Sequence, residues 1–420
     1  MISKYLHIIC QVLRNVFYSR YFLPICLILS IIVRVTWICS FDVTPVSDFA
    51  WYYQRGLDIA AGKGYSVNGV PTAYWPVGYP GFLGTLFFTF GNSLLLAKLA
   101  NVLFYLAIMS LAYSFSKQIF HSEEAARITF LILAFYPNHV VYGSLLASET
   151  FFTFLFLFGA FLFVSARDRI NWLFISGISW GLATLTKPQA IFVPIAFLLV
   201  FFTDIKHLLK SSTMVYLALL LTLLPWLNRN SLIMGKPVLS TNGGINLIIG
   251  NNPYSKGAYI WNRELISSLE DKKTEVDRDA KAKQLAIDYV IENPVKSISL
   301  WPKKLIHLYR FDREGIYWCL VGMSRPPAKL IVFAIKVVSQ LFYLFIVALS
   351  LISLPTIIRN GRRYWIGLIL IMYFSLIYMV FFGDARFHFP LIPWIAIYSG
   401  VGGVVLSRYL LSHKKEFITE

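Results

Sequence analysis

Five residues ask for a chemical explanation, because each stands at the edge of a strongly apolar run: Asp48, Glu149, Lys187, Arg229 and Arg386. Asp48 lies in "SDFAWYYQRGLDIAAGKGY", just past the first such run, and Glu149 interrupts a nearly uncharged stretch from Ile128 to Phe163. Lys187 sits in "TLTKPQ", Arg229 in "PWLNRNS" and Arg386 in "GDARFHFP", while Arg34, inside the first run, could join them. Carboxylates opposed to cations over an apolar bundle suit a reaction that needs a general base and must stabilise a phosphate leaving group. Each residue also has a plainer role. A Ser or Asp at a helix start caps it, a Glu in a first turn is favoured by the helix dipole, and Lys or Arg at span ends snorkels to lipid headgroups. An acid at membrane depth nevertheless costs about 3 kcal/mol unless it meets a polar cavity, which keeps Glu149 among the site candidates.

The elements that must position these residues are membrane helices. Hydrophobic residues make up 57% of the 420 and charged residues only 14%, far below the roughly 25% charge of soluble domains. The apolar runs are continuous rather than alternating, which favours helices over a barrel. The fold class is therefore an all-α polytopic membrane protein. About ten spans are expected, near 21–41, 94–116, 125–142, 148–166, 172–186, 188–203, 212–232, 330–357, 364–382 and 388–410. Arg14 and Arg20, Lys117 with Arg127, Arg167 with Arg169, Lys206 with Lys210, Arg359 with Arg362 and Arg363, and Lys414 with Lys415 then share one side. That side is the cytoplasm by the positive-inside rule, and both termini lie there. The halves of 172–203 are short for spans, but a single long span would put two basic loops on opposite faces, so they form a hairpin with Lys187 and Pro188 at its outer tip.

Two regions are left outside: residues 42–80 and 233–328. The chain divides into an N-terminal transmembrane catalytic module, 1–232, an extracytoplasmic loop region, 233–328, and C-terminal helices with a cytoplasmic tail, 329–420. After Asp48, apolar positions Phe49, Tyr52, Tyr53, Leu57 and Ala60 recur at helical spacing and Gly62 and Gly64 close the helix; its Trp and Tyr content suits the membrane interface. The second loop opens rich in Gly and Asn, and continues as two surface helices broken at Asn293 and Pro294. It is the larger loop and mainly helical.

The net charge of +17 is accounted for by basic loops facing anionic membrane lipids, not by nucleic acid. Cys10, Cys26, Cys39 and Cys319 lack metal spacing, and only Cys39 and Cys319 could share a compartment. No Walker, dinucleotide or zinc-protease motif is present, and no other cofactor signature is found. Acidic residues near phosphate could bind a divalent ion, but no ligand set demands one. A soluble nucleotide donor has no evident pocket, so a lipid-borne substrate is the economical inference.

The ordered set "SDFAWYY", "GKGY", "PTAYWPVGYPGFL", "YPNHVVYGSLLASETFF", "GLATLTKP", "PWLNRNS", "STNGG", "GNNPYSKG" and "GDARFHFPLIPW" resembles the bacterial branch of the polytopic C-type glycosyltransferases. These are relatives of the dolichyl-phosphate-mannose protein mannosyltransferases and the lipid A aminoarabinosyltransferase. The resemblance implies a sugar donor linked through phosphate to a polyprenol, transfer with inversion on the outer face of a bacterial inner membrane, and a glycan, lipid or protein acceptor. It implies Asp48 as the catalytic base, Lys187, Arg229 and Arg386 as phosphate contacts, and Glu149 as a second acidic site residue. A lone Asp replaces the Asp-Glu pair of the protein mannosyltransferases, so protein is not favoured as acceptor. A transporter or flippase is the alternative, but it expects charges near mid-membrane rather than at helix ends.

Overall fold

A computed structural model describes residues 11, 14–166, 169–201, 204–269 and 274–416. Cys10 and Arg167, and the last residues of the span expected at 188–203, lie outside the described residues. Among the described residues the regular structure is helical, apart from a two-stranded hairpin, Ser66–Val67 with Val70–Pro71. Its turn is Asn68–Gly69, with φ of 51° and 80°, the left-handed pair that a two-residue hairpin turn requires.

Among the described residues, seven helices are long and apolar enough to cross a membrane: Phe22–Ser40, Leu94–Phe120, Ser148–Ala166, Ile205–Met234, Lys329–Arg359, Arg362–Val380 and Ala385–Ser412. Each overlaps an expected span. The other three are shorter. The span expected at 125–142 divides into helices Glu123–Ala134 and Pro137–Tyr142. Pro137 forces Tyr136 into an extended conformation (ψ 111°), and twelve helical residues rise only about 18 Å. Residues 170–201 form two short apolar helices, Ile170–Thr186 and Pro188–Phe201, hinged at Lys187.

Helix starts follow the chain's capping residues. The side chains of Ser93, Ser122, Asp204 and Thr274 each accept a backbone N–H from the first turn, satisfying donors that have no intrahelical partner. The last helix, Ile392–Glu416, runs through the middle of the bundle. A Cβ on Gly402 would meet the Leu349 carbonyl at 1.8 Å and one on Gly400 the Ala125 carbonyl at 2.3 Å. Backbones touch there, as small residues permit between membrane helices. Around it, buried Trp180, Phe197, Phe156 and Trp394 fill the core.

The second loop breaks at Asn293 as expected, giving helices Glu275–Glu292 and Pro294–Ser299, followed by Trp301–Tyr309 and Glu314–Gly322. Its Gly/Asn-rich opening forms the short helix Gly243–Gly250, whose Gly244 N–H donates to Asp279 Oδ1 (2.6 Å). Ile245, Ile248, Ile249, Ala282, Ala286 and Phe382 make a small separate core beneath it.

Candidate active site

Asp48 is the second residue of the helix Ser47–Ala60. That helix has no side-chain cap, so the capping role open to Ser47 or Asp48 is not taken. The Asp48 carboxylate turns instead to the end of the chain, where Arg386 Nη1 donates to its Oδ2 (3.0 Å). Ser47 holds a left-handed backbone (φ 51°) to make this entry, a conformation that is strained for a residue with a Cβ. The helix is fixed from below by Gly78–Phe90: a Cβ on Gly84 would meet Ile59 Cγ2 at 2.5 Å.

Glu149 stands in the first turn of Ser148–Ala166 and is wholly buried. Its carboxylate accepts Arg386 Nε at 2.6 Å and Nη2 at 3.5 Å, and Lys187 Nζ at 3.0 Å. Lys187 is presented by the chain's own break. Pro188 excludes a helical conformation at the preceding residue, so Lys187 is extended (φ −142°, ψ 105°) at the tip of Ile170–Thr186. Gly78 of the first loop lies against that tip, where a Cβ would meet the Thr186 nitrogen at 2.6 Å.

Arg386 is placed by a tertiary contact that explains two glycine-rich motifs together. Asp384 Oδ1 accepts the Arg386 backbone N–H (2.8 Å), and Gly383 N–H donates to the Gly257 carbonyl (2.9 Å). A Cβ on Gly383 would sit 1.8 Å from the Lys304 carbonyl, and one on Gly250 1.8 Å from the Phe381 carbonyl. "GNNPYSKG" and "GDAR" are thus two halves of one backbone-to-backbone seam. The buried Lys304 ammonium crosses it, donating to Asn251 Oδ1 (3.0 Å) and the Val380 carbonyl (3.3 Å), and burial pushes its pKa down to about 8.

Four of the six candidates therefore form one cluster. Arg386 bridges both carboxylates and Glu149 bridges both cations, so formal charges cancel, as buried ions require. Glu149 is sealed, whereas the side chains of Asp48, Lys187 and Arg386 keep 26, 14 and 12% exposure. An ammonium has three donors and a guanidinium five, so Lys187 and Arg386 retain N–H groups for an incoming anion. Asp48 is the more open carboxylate.

Arg229 and Arg34 are not in this cluster. Arg229 donates to the carbonyls of Thr72 (2.9 Å) and Tyr65 (2.8 Å), so it clamps the first loop. Arg34 is fully buried, donates to the carbonyls of Ser30, Ala134 and Leu133, and stacks on Tyr105. No group of three or more His, Cys, Asp or Glu among the described residues is placed to hold a metal ion. Cys39 and Cys319 are free thiols, and Cys319 is buried, with its Sγ 3.5 Å from the Val141 carbonyl.

With this geometry in place, similarity to known proteins is informative. The family described as dolichyl-phosphate-mannose-protein mannosyltransferase matches residues 76–228. The apo crystal structure of the Archaeoglobus fulgidus oligosaccharyltransferase superposes over 96% of this chain with a TM-score of 0.56 at 13% identity. In fold, the chain resembles the polytopic C-type glycosyltransferases. The oligosaccharyltransferase AglB of the same organism, solved with an inhibitory peptide and a dolichol-phosphate, covers 95% at a TM-score of 0.54 and 14% identity. The chain spans about half the length of these archaeal enzymes, 52% in both. ArnT from Cupriavidus metallidurans bound to undecaprenyl phosphate gives a TM-score of 0.44 at 14% identity, over 92% of this chain and 78% of that one. No curated protein sequence matches the chain.

Sequence reasoning overlooked three acids on or against the Asp384–Phe389 segment. Asp384 caps its segment. Asp312, from the second loop, meets His388 Nε2 (3.1 Å) and accepts from Tyr136 and Asn138. Glu314 lies within the field of Asp384, Arg386, His388 and Arg313; burial, with Asp384 adding, pushes its carboxyl up to about 7. Asp312 and Glu314 occur in a polar stretch, "RFDREG", where an acid does not stand out, and Asp384 was passed over beside Arg386 in "GDAR". Their grouping was a signal only once the two segments were known to meet.

Proposed function

We propose that the protein is a membrane glycosyltransferase that moves a hexosyl or pentosyl unit from a polyprenyl-phosphate donor to an extracytoplasmic acceptor with inversion. The observation that carries this reading is Arg386, held between Asp48 and Glu149 with N–H donors unengaged. Asp48 takes the proton of an acceptor hydroxyl as its oxygen attacks the anomeric carbon. The bond from that carbon to the phosphate oxygen breaks on the opposite face, and the polyprenyl phosphate leaves with the electron pair. Arg386 and Lys187 meet its developing charge, and Glu149 holds both cations in place. Such preorganised donors contribute most where charge develops. The dolichol-phosphate bound by the archaeal enzyme of the same fold supports a donor of this class. The site then faces the outside of a bacterial inner membrane, with both termini cytoplasmic.

Transfer from lipid-linked sugar is measured in membranes of a strain that makes the native product, with Asp48→Asn replacing the wild-type chain. A positioned base contributes about a hundredfold to ten-thousandfold, so turnover falls by that factor while the amount of protein in the membrane is unchanged. Unaltered transfer by Asp48→Asn would remove Asp48 as the base.

A further inference from the structure

The two loops meet above the cluster at a joint whose hydrogen bonds are fixed. Glu275 accepts from Thr72 Oγ1 (2.9 Å) and from the Ala73 backbone N–H (2.5 Å), and Thr241 N–H donates to the Ala73 carbonyl (2.9 Å). Beside this joint opens a cavity of about 280 Å³, lined by Tyr74, Thr241, Trp261, Glu275 and Arg278, with Ile245 and Leu269 on its apolar side. Ligand sites run upward from about 300 Å³, so this one holds a single ring rather than a lipid or an extended chain.

Its lining has three features that point to a ligand. Thr241 is 2% exposed, and its hydroxyl has no hydrogen-bond partner, a costly state when nothing fills the space beside it. Trp261 is 48% exposed despite its size. Arg278 is exposed and has no ion pair among the described residues. An aromatic face beside an unsatisfied hydroxyl and a charged rim is the recognition chemistry of a pyranose. One face of such a ring presents polarised C–H bonds to the negative face of indole, and its edge is a fence of hydroxyls for Thr, Glu and Arg. Tyr74 ties the cavity to the reaction centre: its ring meets Trp75 (centroids 5.4 Å apart), and Trp75 meets Tyr52 of the helix that carries Asp48 (6.1 Å).

We infer that the Tyr74–Thr241–Trp261–Arg278 cavity is a subsite for a sugar ring of the acceptor, and hence that the acceptor is a glycan. This rests on the glycosyltransferase reading and narrows its acceptor. The full chain is placed in lipid nanodiscs, because alkyl-glycoside detergents carry a sugar headgroup. Saturation-transfer NMR then probes a panel of methyl pyranosides of glucose, galactose, mannose and N-acetylglucosamine, with a short Asn- and Ser-containing peptide as comparison. At least one glycoside receives saturation on its ring protons, and Trp261→Ala abolishes it. Thr241→Val, which keeps shape and removes only the unpartnered hydroxyl, weakens it about fivefold, and Asp48→Asn preserves it. No glycoside signal, a signal indifferent to both cavity substitutions, or saturation of the peptide alone would overturn the subsite. The two readings fail separately. Transfer that survives Asp48→Asn removes the base and leaves the cavity standing, whereas Asp48-dependent transfer with glycoside binding blind to Trp261 and Thr241 removes only the cavity.

Discussion

Two polar clusters hang from one short segment, Asp384–Phe389, and they differ in how fully their hydrogen bonds are used. At Arg386 the cluster is paired but open: charges balance, three side chains keep some exposure, and N–H donors remain free. At His388, two residues on, it is paired and closed. Asp312 accepts from Tyr136 and Asn138 and meets His388 Nε2 (3.1 Å), while the other His388 nitrogen, 2.6 Å from the Leu308 carbonyl, must donate there. Asn138 in turn accepts the Gly315 N–H (3.0 Å), and Asp312 and His388 are 1 and 0% exposed. A saturated network has nothing left for a ligand, and its contribution is position. The closed knot fixes the segment so that the open cluster can change partners.

The sharpest way to break that comparison is to cut the closed knot. Asp312→Ala leaves His388, Tyr136 and Asn138 buried without their acceptor, and removing one member of such a buried set costs about 3–5 kcal/mol. The variant should lose folded, monodisperse protein and unfold at a distinctly lower temperature. Asp48→Asn in the same thermal assay should shift far less, because its amide oxygen still accepts from Arg386. Equal shifts in the two variants would erase the distinction between the clusters.

The open cluster is tested by a substitution that keeps charge and removes shape. Arg386→Lys retains a cation, but a single ammonium cannot reach both carboxylates in the fork geometry of a guanidinium. Losing one preorganised donor costs about a hundredfold to a thousandfold in turnover. The expected result is a loss of that size with the protein still folded. A variant of near wild-type turnover would mean that charge alone matters at this position.

These two clusters also mark what could be read from the chain. Asp48, Glu149, Lys187 and Arg386 were conspicuous because each is an ion against an apolar background, and the structure brings the four together. Arg229 stood out in the same way and Arg34 was a residue that could join them, yet both donate to backbone carbonyls, and a sequence does not show which carbonyls lack partners. Asp312 and Glu314 were invisible for the opposite reason: in "RFDREG" charge is the background. Their importance comes from contacts with residues more than seventy positions away, Asp312 with His388 and Glu314 within the field of Arg386. Seven of ten spans could be read from apolar length. The span placed at 125–142 was not, although its break is local, because the apolar count there outweighed Pro137.

The gentlest probe is proton concentration, and it acts where the clusters meet. Glu314 is faced by Asp384, Arg386 and His388 from the Asp384–Phe389 segment and by Arg313 from its own. Burial and Asp384 raise its carboxyl to about 7, above the usual value near 4.3. A folded-state value above the unfolded one means stability is fullest at low pH and declines as pH rises through 7, where the fold must hold a further anion beside Asp384. Function should follow the same sign. Ionised Glu314 opposes a phosphate arriving at Arg386, so the KM for the lipid-linked donor should rise roughly threefold to tenfold between about pH 6 and 8. Glu314→Gln, which keeps the neutral shape, should hold KM at its low-pH level across that range. Parallel profiles for the two proteins would place Glu314 outside the donor's field and leave Arg386 answerable only to Asp48 and Glu149.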